Sequence, residues 1–410
     1  MNSPYEGRRA IVVGGSIGGL TTALLLRDLG FAVDVYEKSA VPLHGRGSGI
    51  VLQPDTLRWF HERSRTDPTT LSTSTDTVQY LDRDDRVIAS EPRVWEYTSW
   101  GTFYQALLDD FGTEHYHLAS HATGFEQDDD TVTVSFADGS TRSAELAVFA
   151  DGINSPARGQ FDPAARPEYA GYVGWRGTVP VRELSEHTRR MLDHAVTYSV
   201  VPHSQIILYP IPGEEGVTAD EQLMNYVWYR NVPEGPLLTE LLTGKSGHVG
   251  GVSLPPGQVQ DGFVAELKET AAAILAPAAA EVVTRTAEPY LQVVLDTRSS
   301  RMALGRAVLL GDAACSARPH AAAGTAKAAA DAWALAAALE SAALDHPDGD
   351  IVAAVAAWEP GQLALSEALL SRVTAMGDRS QFHNTWTPDD PELLFGLYGS
   401  GVLYPPEPIR

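Results

Sequence analysis

Basic residues, cysteine and long apolar runs are all scarce in this chain of 410 residues. Thirty Lys and Arg stand against 53 Asp and Glu, and the formal net charge of −23 disfavours a nucleic-acid partner or an anionic membrane surface. A single cysteine, Cys315, excludes an internal disulfide framework and suits a reducing cytoplasm, where the protein is expected. No stretch reaches the ~18 uninterrupted apolar residues of a membrane span. Residues 11–13 run straight into glycines, so the start lacks the apolar core of a signal peptide. The alanine-rich segment 321–345 carries Lys327, Asp331 and Glu340 and reads as a closely packed soluble helix. No fixed-period repeat occurs, and no metal site is expected. The length predicts a large core and two domains.

Against these absences stands one dense stretch, "AIVVGGSIGGLTTALLLRDLGFAVDVYEKS", residues 10–39. Its first four residues are apolar without alternation, as in a parallel strand buried on both faces. Gly14, Gly15, Gly18 and Gly19 permit a tight turn and close contact between strand and helix. Leu20, Leu24 and Leu25 follow at helical spacing. The N–H groups at that helix's start carry partial positive charge, so a pyrophosphate can sit there. Residues 33–36 predict the next strand, and Glu37, 23 residues after Gly14, stands about where an acid meets a ribose hydroxyl. Ser16 replaces the usual middle glycine, so its side chain must turn away from phosphates or hydrogen-bond to them. A glycine-rich turn that binds nothing is the alternative at this point.

Further along, "PLHGRGSGIVLQP" (42–54) is a second glycine-rich loop followed by a helix, and residues 77–89 predict a hairpin. "TFYQALLDDFG" predicts a short amphipathic helix. An Asp-Gly turn at 138–139 divides a β-rich stretch that ends in a buried strand at Ala150. Residues 171–230 hold four long alternating runs and predict one large antiparallel sheet. A buried strand returns at "RAVLLGDAACS", and two long helices then extend to about Met376.

Two further motifs close strands of the buried type. Asp151-Gly152-Ile153-Asn154-Ser155-Pro156-Ala157-Arg158 follows one. Gly311-Asp312-Ala313-Ala314, then Pro319-His320 and Gly324, follows the other. An aspartate at a parallel sheet's carboxyl edge can accept hydrogen bonds from a polyol, and a helix N-terminus can face a ring system. In this order the three motifs resemble those of the flavin-dependent aromatic hydroxylases of the para-hydroxybenzoate and salicylate hydroxylase type, over roughly residues 8–375. The stretches "GGSIGGL", "YAGYVGWRG", "YPIPG" and "RPHAAAG" resemble the dihydroxypyridine hydroxylase branch.

The resemblance implies an α/β fold: a Rossmann-like FAD-binding domain with an inserted antiparallel β-sheet substrate domain and C-terminal helices. The expected boundaries are 1–76, 99–170 and 285–345 for the FAD-binding part and 77–98 and 171–284 for the substrate part. Residues 346–410 form the helical end and tail. It also implies that Gly14, Ser16, Ile17 and Gly18 face the pyrophosphate, that Glu37 and Lys38 face the adenosine ribose, and that Arg46 and Val51 reach toward the flavin. Asp151 would serve both FAD and the nicotinamide, Asp312 the ribitol, and the backbone of Ala322, Ala323, Gly324 and Thr325 the isoalloxazine. Many relatives place arginine where this chain has Tyr104 and glycine where it has Ala322, departures that put the grip on the cofactor in question.

The activity implied is hydroxylation of an electron-rich hydroxylated aromatic or pyridine ring by O2, through a flavin C4a-hydroperoxide, with NADH or NADPH as reductant. Substrate contacts are expected from Tyr198, Leu208, Pro210, Pro319 and His320. His320 is the candidate base, its ordinary pKa of ~6.5 suiting proton transfer at neutral pH. A structural role for each of these side chains stays open, as does a homodimer. Two other functions remain: a non-catalytic flavin or ligand carrier of the same fold, and a flavin halogenase, which the missing W-x-W-x-I-P stretch disfavours.

Overall fold

The apolar run at the start forms the strand Arg9–Val13, with four of its five residues buried. It pairs in parallel with Leu146–Phe149 on one side and Ala32–Tyr36 on the other. Ala307–Leu309 and Tyr116–His117 extend this sheet, and Ala303–Leu304 adds an antiparallel edge to make six strands. In this computed structural model the described residues are 5–43, 48–213, 216–218, 221–345 and 349–406.

Carboxyl ends of three strands of this sheet meet at one edge, and each leads into one of the three motifs. Between the first and its helix Ile17–Asp28 the chain turns at Gly14, whose φ of +99° suits glycine. A Cβ there would lie 2.4 Å from the Ala150 carbonyl oxygen, so the glycine lets two motif loops touch. At Gly18 a Cβ would lie 3.0 Å from Ala328 Cβ, a spacing that packs the first helix onto the long helix Gly324–Asp345.

The second sheet has ten strands. Its centre is four long strands, Glu168–Pro180, Leu223–Asn231, Ser204–Ile211 and Ala195–Val201, each antiparallel to its neighbour. Residues 171–230 therefore form the antiparallel array their alternation predicts. Thr73–Leu81 continues the sheet with a parallel pairing to Ala195–Val201, so the whole is mixed. The expected hairpin follows, Thr73–Leu81 with Val87–Ser99. Two strands differ from the expected division. Gly49–Leu52 pairs with Val87–Ser99 at this sheet's edge, and Tyr290–Arg298 pairs with Glu168–Pro180, although both were expected in the nucleotide-binding part. A one-sided apolar strand gives no signal of which sheet receives it.

One face of the large sheet packs on the helices Asp261–Ile274 and Pro277–Arg285. The opposite face turns toward the six-stranded sheet and the long helices Gly324–Asp345 and Ile351–Asp378. Among the described residues no helix is long and apolar enough to cross a membrane.

Candidate active site

A cavity of about 580 Å³ lies between the motif loops and that inner sheet face. This is within the ~300–1,000 Å³ range of ligand pockets. One end is built by the three motifs. Gly14, Ser16, Ile17 and Gly18 line it from the first helix, whose first turn carries no acidic side chain. Ser16 is the N-cap residue, yet its hydroxyl does not cap the helix. Glu37 accepts from the N–H groups of Gly15 (2.9 Å) and Ser39 (2.8 Å), which fixes its carboxylate at the rim beside Lys38. Asp151 Oδ1 is buried with no partner. Burial pushes the Asp151 carboxyl up to about 6, opposed in part by the nearby Ser155 hydroxyl and its own backbone N–H and, more weakly, by Lys38 and Arg158. Arg158 donates to the carbonyls of Ala313 (3.0 Å) and Ile153 (2.6 Å), tying the second motif to the third.

From the third motif, Asp312 is reached by solvent through the cavity although protein encloses it. The enclosure raises its carboxyl above the usual value, and Lys327 works against the rise. Pro319, Ala322, Ala323, Gly324 and Thr325 line the wall where the long helix begins. Ala322 adopts φ 50°, ψ 34°, the left-handed conformation that glycine takes more easily, and its carbonyl accepts from Gln53 Nε2 at 2.8 Å. Val51 also lines the cavity. Arg46 lies outside the described residues.

Five of the expected residues do not reach the cavity. Tyr104 is fully buried behind it, stacked on Trp100, which does line the wall. The Tyr104 hydroxyl lies 3.2 Å from that of Tyr116, which donates to Gly15 O at 2.9 Å, so Tyr104 supports the glycine turn from behind. Leu208 and Pro210 fall on the wrong side of their strand. Side chains alternate along Ser204–Ile211, and Leu208 packs toward the helices of the outer face. The residues between them in parity, Ile207 and Tyr209, line the cavity instead. Tyr198 shares the inner face but stacks on Tyr80, centroids 5.1 Å apart, beside Trp386 and clear of the wall.

His320 is also displaced from its expected role. Its ring is buried between Tyr172 and Tyr229, and both nitrogens are engaged. Nδ1 donates to Gln205 Oε1 at 3.0 Å, which leaves Nε2 to accept from the Tyr172 hydroxyl at 2.8 Å. Burial, with the Arg318 cation nearby, lowers the imidazole to about 3. It is a neutral structural hydrogen-bonding group and not the base expected.

The sheet end of the cavity holds residues that motif reading missed: Gly174, Arg176, Tyr209, Val227, Tyr229 and Gln292. Period-two counting from a known inward residue would have found them, since Gly174 and Arg176, and Val227 and Tyr229, sit two apart.

Glycine-rich strand-end loops facing a long, aromatic-lined sheet define a class, and comparison with known proteins establishes it: the chain belongs to the FAD-dependent aromatic hydroxylases, enzymes of the monooxygenase class. It is 36% identical to 2,6-dihydroxypyridine 3-monooxygenase of Paenarthrobacter nicotinovorans, over 95% of this chain and 96% of that one. The solved structure of 2,6-dihydroxypyridine-3-hydroxylase from Arthrobacter nicotinovorans superposes with a TM-score of 0.89 at 35% identity, covering 98% of this chain and 99% of that one. A 6-hydroxynicotinate 3-monooxygenase of Bordetella bronchiseptica is 26% identical over 95% of this chain and 94% of its own. The family model described as FAD binding domain-like matches residues 169–296, which include the centre of the large sheet and not the opening glycine turn.

Proposed function

We propose that the enzyme hydroxylates a hydroxylated pyridine or related electron-rich ring, using O2 and a reduced nicotinamide with FAD held in the cavity. One oxygen atom enters a ring C–H and the other leaves as water, with the nicotinamide supplying the hydride and solvent the proton. The observation that carries this reading is the buried, unpartnered Asp151 Oδ1 in a cavity that also presents two helix N-termini. That donor and acceptor set fits a dinucleotide: the helix N-termini take phosphates, while Glu37, Asp151 and Asp312 can accept from its hydroxyls.

When bound, FAD supplies the two-electron carrier between nicotinamide and O2. The chain's own residues do the rest. The turn at Gly14–Gly18 and the start of the long helix orient the cofactor, and Arg158 keeps their two loops in register. The inner sheet face excludes water from the ring with Val227, Ile207 and the tyrosines. The test is purification followed by assay with hydroxypyridines, phenols and hydroxybenzoates, with NADH and NADPH in parallel. We expect a yellow protein whose nicotinamide oxidation accelerates with one ring class and yields hydroxylated product. A colourless protein that refuses added FAD overturns the reading. Flavin binding without any substrate-stimulated oxidation would point to a carrier.

A further inference from the structure

Arg176 sits midway along Glu168–Pro180, in register with Val227 on one neighbouring strand and Tyr290 on the other. It lines the sheet end of the cavity, its Nε is buried without a hydrogen-bond partner, and among the described residues no carboxylate lies within 4.0 Å of its guanidinium nitrogens. The groups that face it are phenols and amides. Tyr290 hydrogen-bonds to it and to Ser48, Tyr229 stands on the adjoining strand and Tyr209 on the one beyond, and Gln292 follows Tyr290 on the same face. The cavity's carboxylates, Glu37, Asp151 and Asp312, belong to the motif loops at the other end. A chain with net charge −23 thus holds Arg176 in an aromatic pocket without a carboxylate partner among the described residues. Buried donors left open in this way find their partner in a ligand.

We propose that Arg176 is the anion receptor of this site and that the substrate enters already ionised: a heteroaromatic or acidic ring hydroxyl carrying its negative oxygen, not a neutral phenol. This rests on the hydroxylase reading and names its substrate class. The planar guanidinium suits an oxyanion flanked by a second ring acceptor, to which it donates in a fork. Among the described residues, the side chains lining the sheet end of the cavity include no carboxylate and no imidazole, which points the same way. The Tyr209 hydroxyl donates to Gly49 O at 2.9 Å, and burial pushes Tyr209 up to about 12 and Tyr229 further up, Arg176 opposing both. His320 is walled off with both nitrogens used. His121 and Asp151 line the cavity from the motif side. A ring that must be electron-rich to accept oxygen, at a sheet end that among the described residues presents neither carboxylate nor imidazole, is best supplied as the anion.

The experiment uses the flavin-loaded protein and hydroxypyridines and hydroxybenzoates whose ring hydroxyls ionise at different pH. Binding is followed by quenching of flavin fluorescence, and turnover by kcat and KM between pH 5 and 9. We expect the low-pH limb of kcat/KM to move with each substrate's own ionisation. Arg176→Met should bind the anions roughly 10- to 100-fold more weakly, the loss falling mainly on KM, with Arg176→Lys in between. A limb fixed at one pH for every substrate assigns the proton to an enzyme base and overturns the proposal, as does wild-type affinity in Arg176→Met. Arg176→Lys carries the comparison if Arg176→Met does not fold. Should no product form with any ring, the hydroxylase reading fails, while the quenching titration still decides whether Arg176 receives anions.

Discussion

His320 stays neutral at neutral pH because burial strips the water its cation would need and Arg318 adds repulsion. The consequence for stability has a definite sign. Between about 6.5 and about 3 the unfolded chain takes up a proton that the folded chain refuses, so folding weakens as pH falls through that window. Asp151 acts in the opposite sense, since its raised carboxyl makes the folded state hold a proton longer than the unfolded state does. Its slope lowers stability as pH rises from about 4 to about 6. His320→Gln keeps the Asp151 slope and removes the histidine one, so subtraction isolates His320. We expect the variant to be less stable than wild type at pH 7.5 and the gap to narrow by on the order of a few kcal/mol toward pH 4. Urea unfolding at a series of pH values measures it, and a constant gap would refute it. The sequence made the position of His320 legible through the preceding proline and the strand-end motif. Its environment was not legible, because Gln205 and Tyr172 come from strands 115 and 148 residues away.

The long helix Gly324–Asp345 teaches the converse lesson at the scale of an element. In the sequence Lys327 and Asp331 only marked the alanine-rich run as a closely packed soluble helix, and in the fold both are fully buried and pair at 2.7 Å. Their i,i+4 spacing places them on one face, and that face happens to meet the Gly311-Asp312 turn. Asp331 Oδ2 also accepts from Gly311 N at 2.9 Å, and its carboxylate holds the Lys327 ammonium charged against the effect of burial. The pair is the bracket that fixes the third motif on the helix. Lys327→Met leaves Asp331 as an uncompensated buried charge, and we expect a loss of about 3–5 kcal/mol by chemical denaturation. Lys327→Met with Asp331→Asn should regain part of that loss, because the amide oxygen can still accept from Gly311 N while the charge is gone. Equal destabilisation in single and double variants would show that the lysine acts by packing alone. The same distinction governs Ser204–Ile211, where alternation was visible but its phase was not. Phase is set by the partner strands, so Leu208 and Tyr209 exchanged roles.

At the scale of the whole molecule, the walls of the cavity come from both sheets: the strand ends carrying Gly14, Asp151 and Asp312, and the inner face carrying Arg176, Val227 and Tyr229. A ligand seated there contacts both, so its binding free energy should add to global unfolding and not to a local transition. For one site the gain is RT ln(1 + [L]/Kd), about 2.7 kcal/mol at a hundredfold excess over Kd. Flavin-stripped protein titrated with FAD should therefore melt in a single transition whose midpoint climbs with the logarithm of FAD concentration, by a few degrees at that excess. Asp312→Ala removes a carboxylate acceptor at the motif end and should shift the titration to roughly 10- to 100-fold higher FAD without splitting the transition. Differential scanning calorimetry distinguishes the outcomes. Two transitions, with only the one from the six-stranded sheet responding to FAD, would mean that the sheets unfold independently and that the flavin is held by the motif loops alone.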